Sequence, residues 1–378
     1  MTGVYIHIPL CFAKCDYCAF YSEPVGQGAG AVRRALVDGL LREMDARLDG
    51  KERVGADTVY FGGGTPSLLE PDQVDRILGV LRERLDIAAG AEITLEMNPR
   101  DLSAERLEAY RDAGVNRAVL GVQTLSERLH RIIGRSCPPC TGRELDIFFG
   151  VPGITHCADL IAGIPSQRDD ELIHDIDTIA GYGAAHLSVY LLTIEHGTPL
   201  WRRMSIDDKA ESLQKRHFEA ARARLRGLGY DHYEISNYAR TGFESRHNMK
   251  YWRFEPYYGF GPGAHSFVDG ERYFNPMTLP GYIGPTQLPH VKDDRGPGSV
   301  TAEYIMTGLR LLRGISLGEM ERRLGVTLPG EVMERIRKAV EEGSLVLEER
   351  DGDNLIRLSE RGVIFSDSVI FSIVEHLL

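Results

Sequence analysis

Cys11-Phe-Ala-Lys-Cys15-Asp-Tyr-Cys18 places three cysteines within eight residues, directly after the alternating, β-rich run Tyr5-Ile-His-Ile. An odd set of thiols is a strong constraint. A structural zinc site takes four N or S ligands and a disulfide takes two, whereas an iron-sulfur cube held by three thiolates keeps one iron open to a small molecule. Chance clustering and half of a zinc site are the competing explanations. The residues before Cys11 read as a strand that delivers the cysteine loop at its end, the place where β/α barrels carry their chemistry.

The chain that follows repeats one unit. A helix is predicted over 31–48, then a strand Asp57-Thr-Val-Tyr-Phe61 running into Gly62-Gly63-Gly64-Thr65-Pro66, then a helix over 72–85. Glu92 to Met97 is a strand that carries an acid near its end, 103–113 a helix closed by Gly114, and 116–122 a strand ending at Gln123. A helix over 126–133, a strand from Cys157 to Pro165, a helix over 169–180 and a strand over 186–193 complete six successive units. Only 136–157, rich in Pro, Gly and Cys, gives no clear pattern. Six β-then-α units predict a parallel sheet, closed or partly closed, and the expected fold is a partial (β/α)6 TIM-like barrel. Beyond it come a charged helix over 206–228, an aromatic and glycine-rich stretch from Ser245 to Ser266, and a Pro/Gly-rich linker over 280–297. Helices over 301–312 and 330–342, a hairpin turning at Asp351-Gly352 and a last helix over 359–378 predict a small winged-helix-like unit. The domains expected are 1–240 (barrel), 241–297 (aromatic segment and linker) and 298–378.

Composition narrows the class of function. With a formal charge of −11 the chain lacks the basic face of a general nucleic-acid binder. No run approaches the ~18 apolar residues of a membrane span, and the start Val4-Tyr5-Ile6 shows no charged leader, so a soluble, cytoplasmic protein is expected. A thiolate-held cluster also needs a reducing compartment.

The C-x3-C-x2-C spacing resembles the radical S-adenosylmethionine (SAM) signature, in which three thiolates hold a 4Fe-4S cluster and its open iron binds the amino and carboxylate groups of SAM. Tyr5-Ile-His-Ile-Pro, Gly62-Gly-Gly-Thr-Pro, Glu96-Met-Asn-Pro, Leu120-Gly-Val-Gln123, Gly134-Arg135 and Asp159-Leu-Ile-x-Gly-Ile-Pro together resemble the oxygen-independent coproporphyrinogen III oxidase family nearly from end to end. The resemblance implies cluster ligands Cys11, Cys15 and Cys18, and SAM contacts at Tyr5, Gly63, Gly64, Thr65, Glu96, Gln123, Arg135 and Asp159, with Tyr17 and Thr193 beside them. Phe20 stands where the dehydrogenase branch has a fourth cysteine, and four residues precede Tyr5, where that branch has an extension. Both features resemble instead the branch of haem chaperones. That implies binding of haem or another tetrapyrrole and its transfer to an acceptor protein, which a membrane could carry. The alternative is oxidative decarboxylation of coproporphyrinogen, or another SAM-dependent modification of haem.

The His247-Asn-x-x-Tyr251-Trp252 and Gly261-Pro-Gly-Ala-His265 motifs resemble that branch as well. His247 is the first candidate for haem iron, with Tyr251 and Trp252 as aromatic faces, and Arg246 and Arg253 as propionate partners. His265 is the second. A loop-capping pair with aromatics in the core is the competing reading of His247. Cys137-Pro-Pro-Cys140 departs from the family pattern and is read as incidental.

Overall fold

The computed structural model describes residues 1–26, 29–50, 52–204, 208–284, 290–293, 296–350 and 352–378, with only the backbone of 208–210 and 297. Six strands run parallel in chain order: β1 (Thr2–Ile8), β2 (Gly55–Gly63), β3 (Asp86–Met97), β4 (Arg117–Gln123), β5 (Thr155–Ala162) and β6 (His186–Leu191). Between them lie α1 (Ala29–Leu48), α2 (Pro71–Arg84), α3 (Ala104–Ala113), α4 (Glu127–Ile133), α5 (Gly142–Gly150) and, before β6, α6 (Asp169–Gly181). The helices bury one stripe each. In α2 this is Val74, Ile77, Leu78 and Leu81, the spacing that keeps a single face on the sheet.

The strands are covered on both faces. In β1, Val4, Ile6 and Ile8 join Leu36, Leu40 and Met44 of α1 in one core, while Tyr5 and His7 point the other way. Side chains or backbone from all six strands, Tyr5, Gly63, Glu96, Gln123, Asp159 and Tyr190, line one cavity, so the sheet curls around its inner face.

The sheet is wider than the six units. Tyr257–Phe260 pairs in parallel with the free side of β1, and His265–Val268, Glu271–Phe274 and Val291–Lys292 continue it antiparallel. At the other edge Asn237–Ala239 and then Asp231–His232 add to β6 antiparallel, giving twelve strands among the described residues and an open order. The parallel units of the sequence reading are present, and the barrel is partial.

Three stretches differ from expectation. The unreadable 136–157 contains α5, opened by a reciprocal box in which Thr141 and Glu144 cap each other's backbone N–H groups. The 280–297 stretch has structure at both ends of its described part: the helix Leu279–Ile283 and the strand Val291–Lys292, with 285–289 and 294–295 outside the described residues. The last helix breaks at Phe365 into Glu360–Ile364 and Ser366–Val374. In the hairpin Arg350 faces Asp353, as the turn predicts, Asp351 lying outside the described residues, and Ile315–Ser316 adds a third strand to it.

Candidate functional site: a cysteine-lined cavity at the strand ends

The cysteine loop is fixed from three sides. Leu10–Cys11 pairs with Glu23–Pro24, Thr65 N–H donates to the Leu10 carbonyl (2.8 Å), and Asp16 N–H donates to the carbonyl of Gly134 (3.0 Å). Gly134 closes α4 with φ 61°, and a Cβ there would lie 2.2 Å from Asp16 Oδ2, so only glycine lets the two loops meet. Arg203 binds the same carboxylate at 2.6 Å.

Cys11, Cys15 and Cys18 line a cavity of about 580 Å³. Tyr5, Tyr17, Gly63, Gly64, Thr65, Glu96, Gln123, Arg135, Asp159 and Thr193 line it too, so every residue expected at the cluster and SAM site is brought to one place, and His247, the candidate for haem iron, does not line it. The volume falls within the ~300–1,000 Å³ usual for small-molecule sites.

The thiols sit in ordered surroundings. Cys11 Sγ accepts from Thr65 Oγ1 at 3.5 Å, and Cys15 Sγ lies 3.4 Å from both the backbone N and Oγ of Ser136. Burial pushes the Cys11 and Cys18 thiols upward, so a metal centre would have to displace their protons.

The same cavity is lined by two acids, Glu96 and Asp159. Glu96 accepts from Tyr60 Oη (2.7 Å) and from Gly63 N–H (3.3 Å); burial, with repulsion from Asp159, raises its pKa to about 7. Asp159 is raised to about 6, chiefly by burial, and its Oδ1 is buried without a hydrogen-bond partner. Two desolvated carboxyls, one with an orphaned oxygen, fit a ligand that brings hydroxyl donors or positive charge. Gly63 stands at φ 111°, and a Cβ there would lie 2.5 Å from the His7 ring, so the loop backbone closes on the cavity without side chains.

Arg135 joins three elements. It donates to Tyr17 Oη (2.8 Å), to the Gly121 carbonyl (2.5 Å) and to Cys137 Sγ (3.1 Å). The last contact gives the departing Cys137-Pro-Pro-Cys140 stretch a place at the cavity wall. Gln123 holds φ 67°, strained for a residue with a side chain, and lines the cavity where β4 ends. His7, Tyr60 and Arg100 are site residues the sequence reading did not single out. The two-residue alternation that turns Tyr5 inward also turns His7 inward, and was the available signal.

His247 is elsewhere. It is 0% exposed, its ring stacked 6.3 Å from that of the cavity residue Tyr5 and 5.2 Å from that of Tyr60, with Nδ1 bonded to Thr58 Oγ1 (2.8 Å) and Nε2 to Tyr251 Oη (2.8 Å). Burial lowers its pKa to about 3. Both nitrogens are committed, so ligation of haem iron by His247 would require breaking this arrangement. Tyr251 packs edge-on against Tyr257, and Trp252 lies under Arg310. Arg246 is tied to the Gly90 carbonyl (2.7 Å) and Asp57 (3.5 Å), and neither it nor Arg253 lines the cysteine cavity.

Residues 5–179 match the model of the radical SAM superfamily. The "Heme chaperone HemW" of Mycobacterium tuberculosis is 32% identical over 97% of this chain and 93% of its own length, and that of Escherichia coli 38% identical over 71% of each. The solved coproporphyrinogen III oxidase (HemN) of Escherichia coli superposes with a TM-score of 0.81 at 19% identity, covering 99% of this chain and 90% of that one, which shows the shared fold. The cavity, the sheet and these relatives agree, and the chain belongs to the HemW family of the radical SAM superfamily.

Proposed function

We propose that this protein is a haem chaperone, binding haem and passing it to an acceptor protein, and that it carries a 4Fe-4S cluster with exchangeable SAM. The observation that carries the reading is the gathering of three thiols and ten further expected residues around one cavity in a chain whose relatives are named haem chaperones. Family membership implies the cluster and SAM. Cys11, Cys15 and Cys18 would hold the cluster, and the Gly63-Gly64-Thr65 backbone with Glu96 and Asp159 would take the ammonium, carboxylate and ribose groups of SAM. When bound and reduced, such a cluster supplies an electron that can cleave the sulfonium of SAM.

The chain's own contribution is placement: Tyr60 and Gly63 hold Glu96, and Arg135 ties Tyr17 to the end of β4. All six cysteines are free thiols, which supports a reducing compartment and the cytoplasm. Among the described residues no helix is long and apolar enough to cross a membrane.

An anaerobic assay with SAM, reductant and each tetrapyrrole tests the reading. Stable haem uptake, with haem delivered to an apo-acceptor and coproporphyrinogen III left unconverted, is the expected result. Formation of protoporphyrinogen would overturn it in favour of an oxidative decarboxylase.

A further inference from the structure

Behind one acid of the cavity lies a stack of three rings. The His247 ring lies 5.2 Å from that of Tyr60 at 27° and 6.3 Å from that of Tyr5 at 26°, and the two tyrosines stack at 6.2 Å. Tyr60 Oη donates to Glu96 Oε1 (2.7 Å), so the stack ends on a carboxylate that lines the cavity. Its other end is anchored. Both His247 nitrogens are bonded, to the hydroxyls of Thr58 and Tyr251, and its backbone N–H donates to Glu92 Oε1 (3.0 Å). Glu92 stands four residues before Glu96 on β3, on the same face by the two-residue alternation, so one strand fixes both ends of the stack. The packing is close on the strand side as well: a Cβ at Gly62 would lie 2.8 Å from Tyr60 Cε1 and 3.1 Å from Glu96 Oε1.

We infer that His247 is a positioning residue for the SAM site: it holds the Tyr60 ring, and Tyr60 holds the Glu96 carboxylate where SAM would meet it, so the helix Arg246–Trp252 and the cavity are energetically coupled. The inference rests on the reading of Glu96 as a SAM-binding acid and deepens it. Its physical ground is that a binding group is precise only when packing and further hydrogen bonds fix its orientation. A carboxylate deprived of its tyrosine donor loses a hydrogen bond to a charged group, a factor of about ten or more in an equilibrium. A histidine that only filled the core would contribute to folding and leave the affinity for SAM unchanged. Coupling is reciprocal, so whatever His247 adds to SAM binding appears as protection of the helix when SAM is bound.

The test uses the full-length, cluster-reconstituted protein, with SAM as the probe and its binding read by anaerobic equilibrium dialysis. Tyr60→Phe, which keeps the ring and removes the hydroxyl, should weaken SAM by about tenfold, and His247→Ala by a similar factor. His247→Phe, which puts a ring back against Tyr60, should recover most of the loss. In the Tyr60→Phe background His247→Ala should weaken SAM little further, because its route to Glu96 is already cut, whereas independent effects would multiply. Cluster iron and sulfide should match the parent throughout. Ile336→Ala, buried in the core built largely from residues 302–374, should melt lower and still bind SAM as the parent does. At saturating SAM, hydrogen exchange at residues 246–252 should slow in the parent and not in Tyr60→Phe. Should His247→Ala fail to fold, Thr58→Val, which removes one of its two side-chain partners, takes its place and should weaken SAM severalfold in the parent alone. A parent that binds no SAM overturns the reading of the cavity and the positioning role with it. A parent that binds SAM while Tyr60→Phe or the folded His247 or Thr58 variant binds it with parental affinity, or while the His247 effect persists in full beside Tyr60→Phe, overturns the positioning role alone.

Discussion

Glu96 and Asp159 face the same cavity with pKa values raised to about 7 and about 6, burial being the main cause for each. A carboxyl whose folded pKa exceeds its unfolded one stabilises the fold least when ionised: stability is highest below the unfolded value of 4.5 for Glu96 and falls as pH rises toward 7. The ligand-free protein should therefore melt lower at pH 8 than at pH 6, and Glu96→Gln should recover part of the loss, at most roughly 3 kcal/mol for the coupled pair. SAM, which brings positive charge, should bind the parent more tightly as pH rises from 6 to 8. Glu96→Gln should flatten that rise, and calorimetry at three pH values checks it. At the thiols, Cys11→Ala, Cys15→Ala or Cys18→Ala should each abolish the cluster after anaerobic reconstitution, read as iron and sulfide per chain, while Cys157→Ala, a change in the sheet core, should keep it. These residues were legible in the sequence because each stands in a short motif at a strand end. The surroundings that tune them were not, since Tyr60 and Asp159 meet Glu96 only once the sheet curls.

At the level of strands and helices, periodicity revealed all six parallel strands and most helices, because each buries a stripe or a face of regular spacing. It failed where local signals conflict. The Thr141–Glu144 box that opens α5 lies directly behind Cys137-Pro-Pro-Cys140, whose prolines read as a break, and Val291–Lys292 is too short to show alternation. Gln123 and Phe254 carry positive φ without being glycine, a choice that only tertiary contacts enforce. The connection between α4 and the cysteine loop shows what such contacts do. At Gly134 the backbone is left-handed and lies against Asp16, so Gly134→Ala combines an unfavourable φ with a Cβ 2.2 Å from a carboxylate oxygen. The variant should lose ~1–3 kcal/mol of stability and part of its cluster occupancy. Gly79→Ala, at a helix position with open space around it, should be neutral or slightly stabilising in the same thermal melts.

The molecule has two large apolar cores, one between the sheet and its helices and one built largely from residues 302–374, and the second is not confined to its own stretch of chain. Phe218, Phe254, Tyr257 and Phe267 from the sheet side belong to it. Phe254 is the centre of that junction: it holds φ 55°, its ring lies 4.5 Å from Phe267 and 5.4 Å from Tyr304, and Arg323 of the helix Leu317–Leu324 donates to the carbonyls of Arg253 and Phe254. A strained residue is kept only where its surroundings over-determine it, so the strain at Phe254 is held by contacts inside the second core, between its sheet-side members and those from the 302–374 stretch. Phe254→Ala should cost ~3–5 kcal/mol through the cavity it leaves, and Arg323→Ala about 1–3 kcal/mol through two carbonyls left without their donor. The two tryptophans make the coupling measurable, since Trp252 lies at this junction beneath Arg310 (4.6 Å) and Trp201 sits in the helix Pro199–Arg203 by the cysteine loop. In a Trp201→Phe background, Trp252 fluorescence and helical circular dichroism should fall together in urea. Adding Phe254→Ala should move the fluorescence transition to lower urea than the dichroism transition, because the junction then opens before either core unfolds. Coincident transitions at the parental midpoint would mean that the two cores do not depend on this ring for their connection.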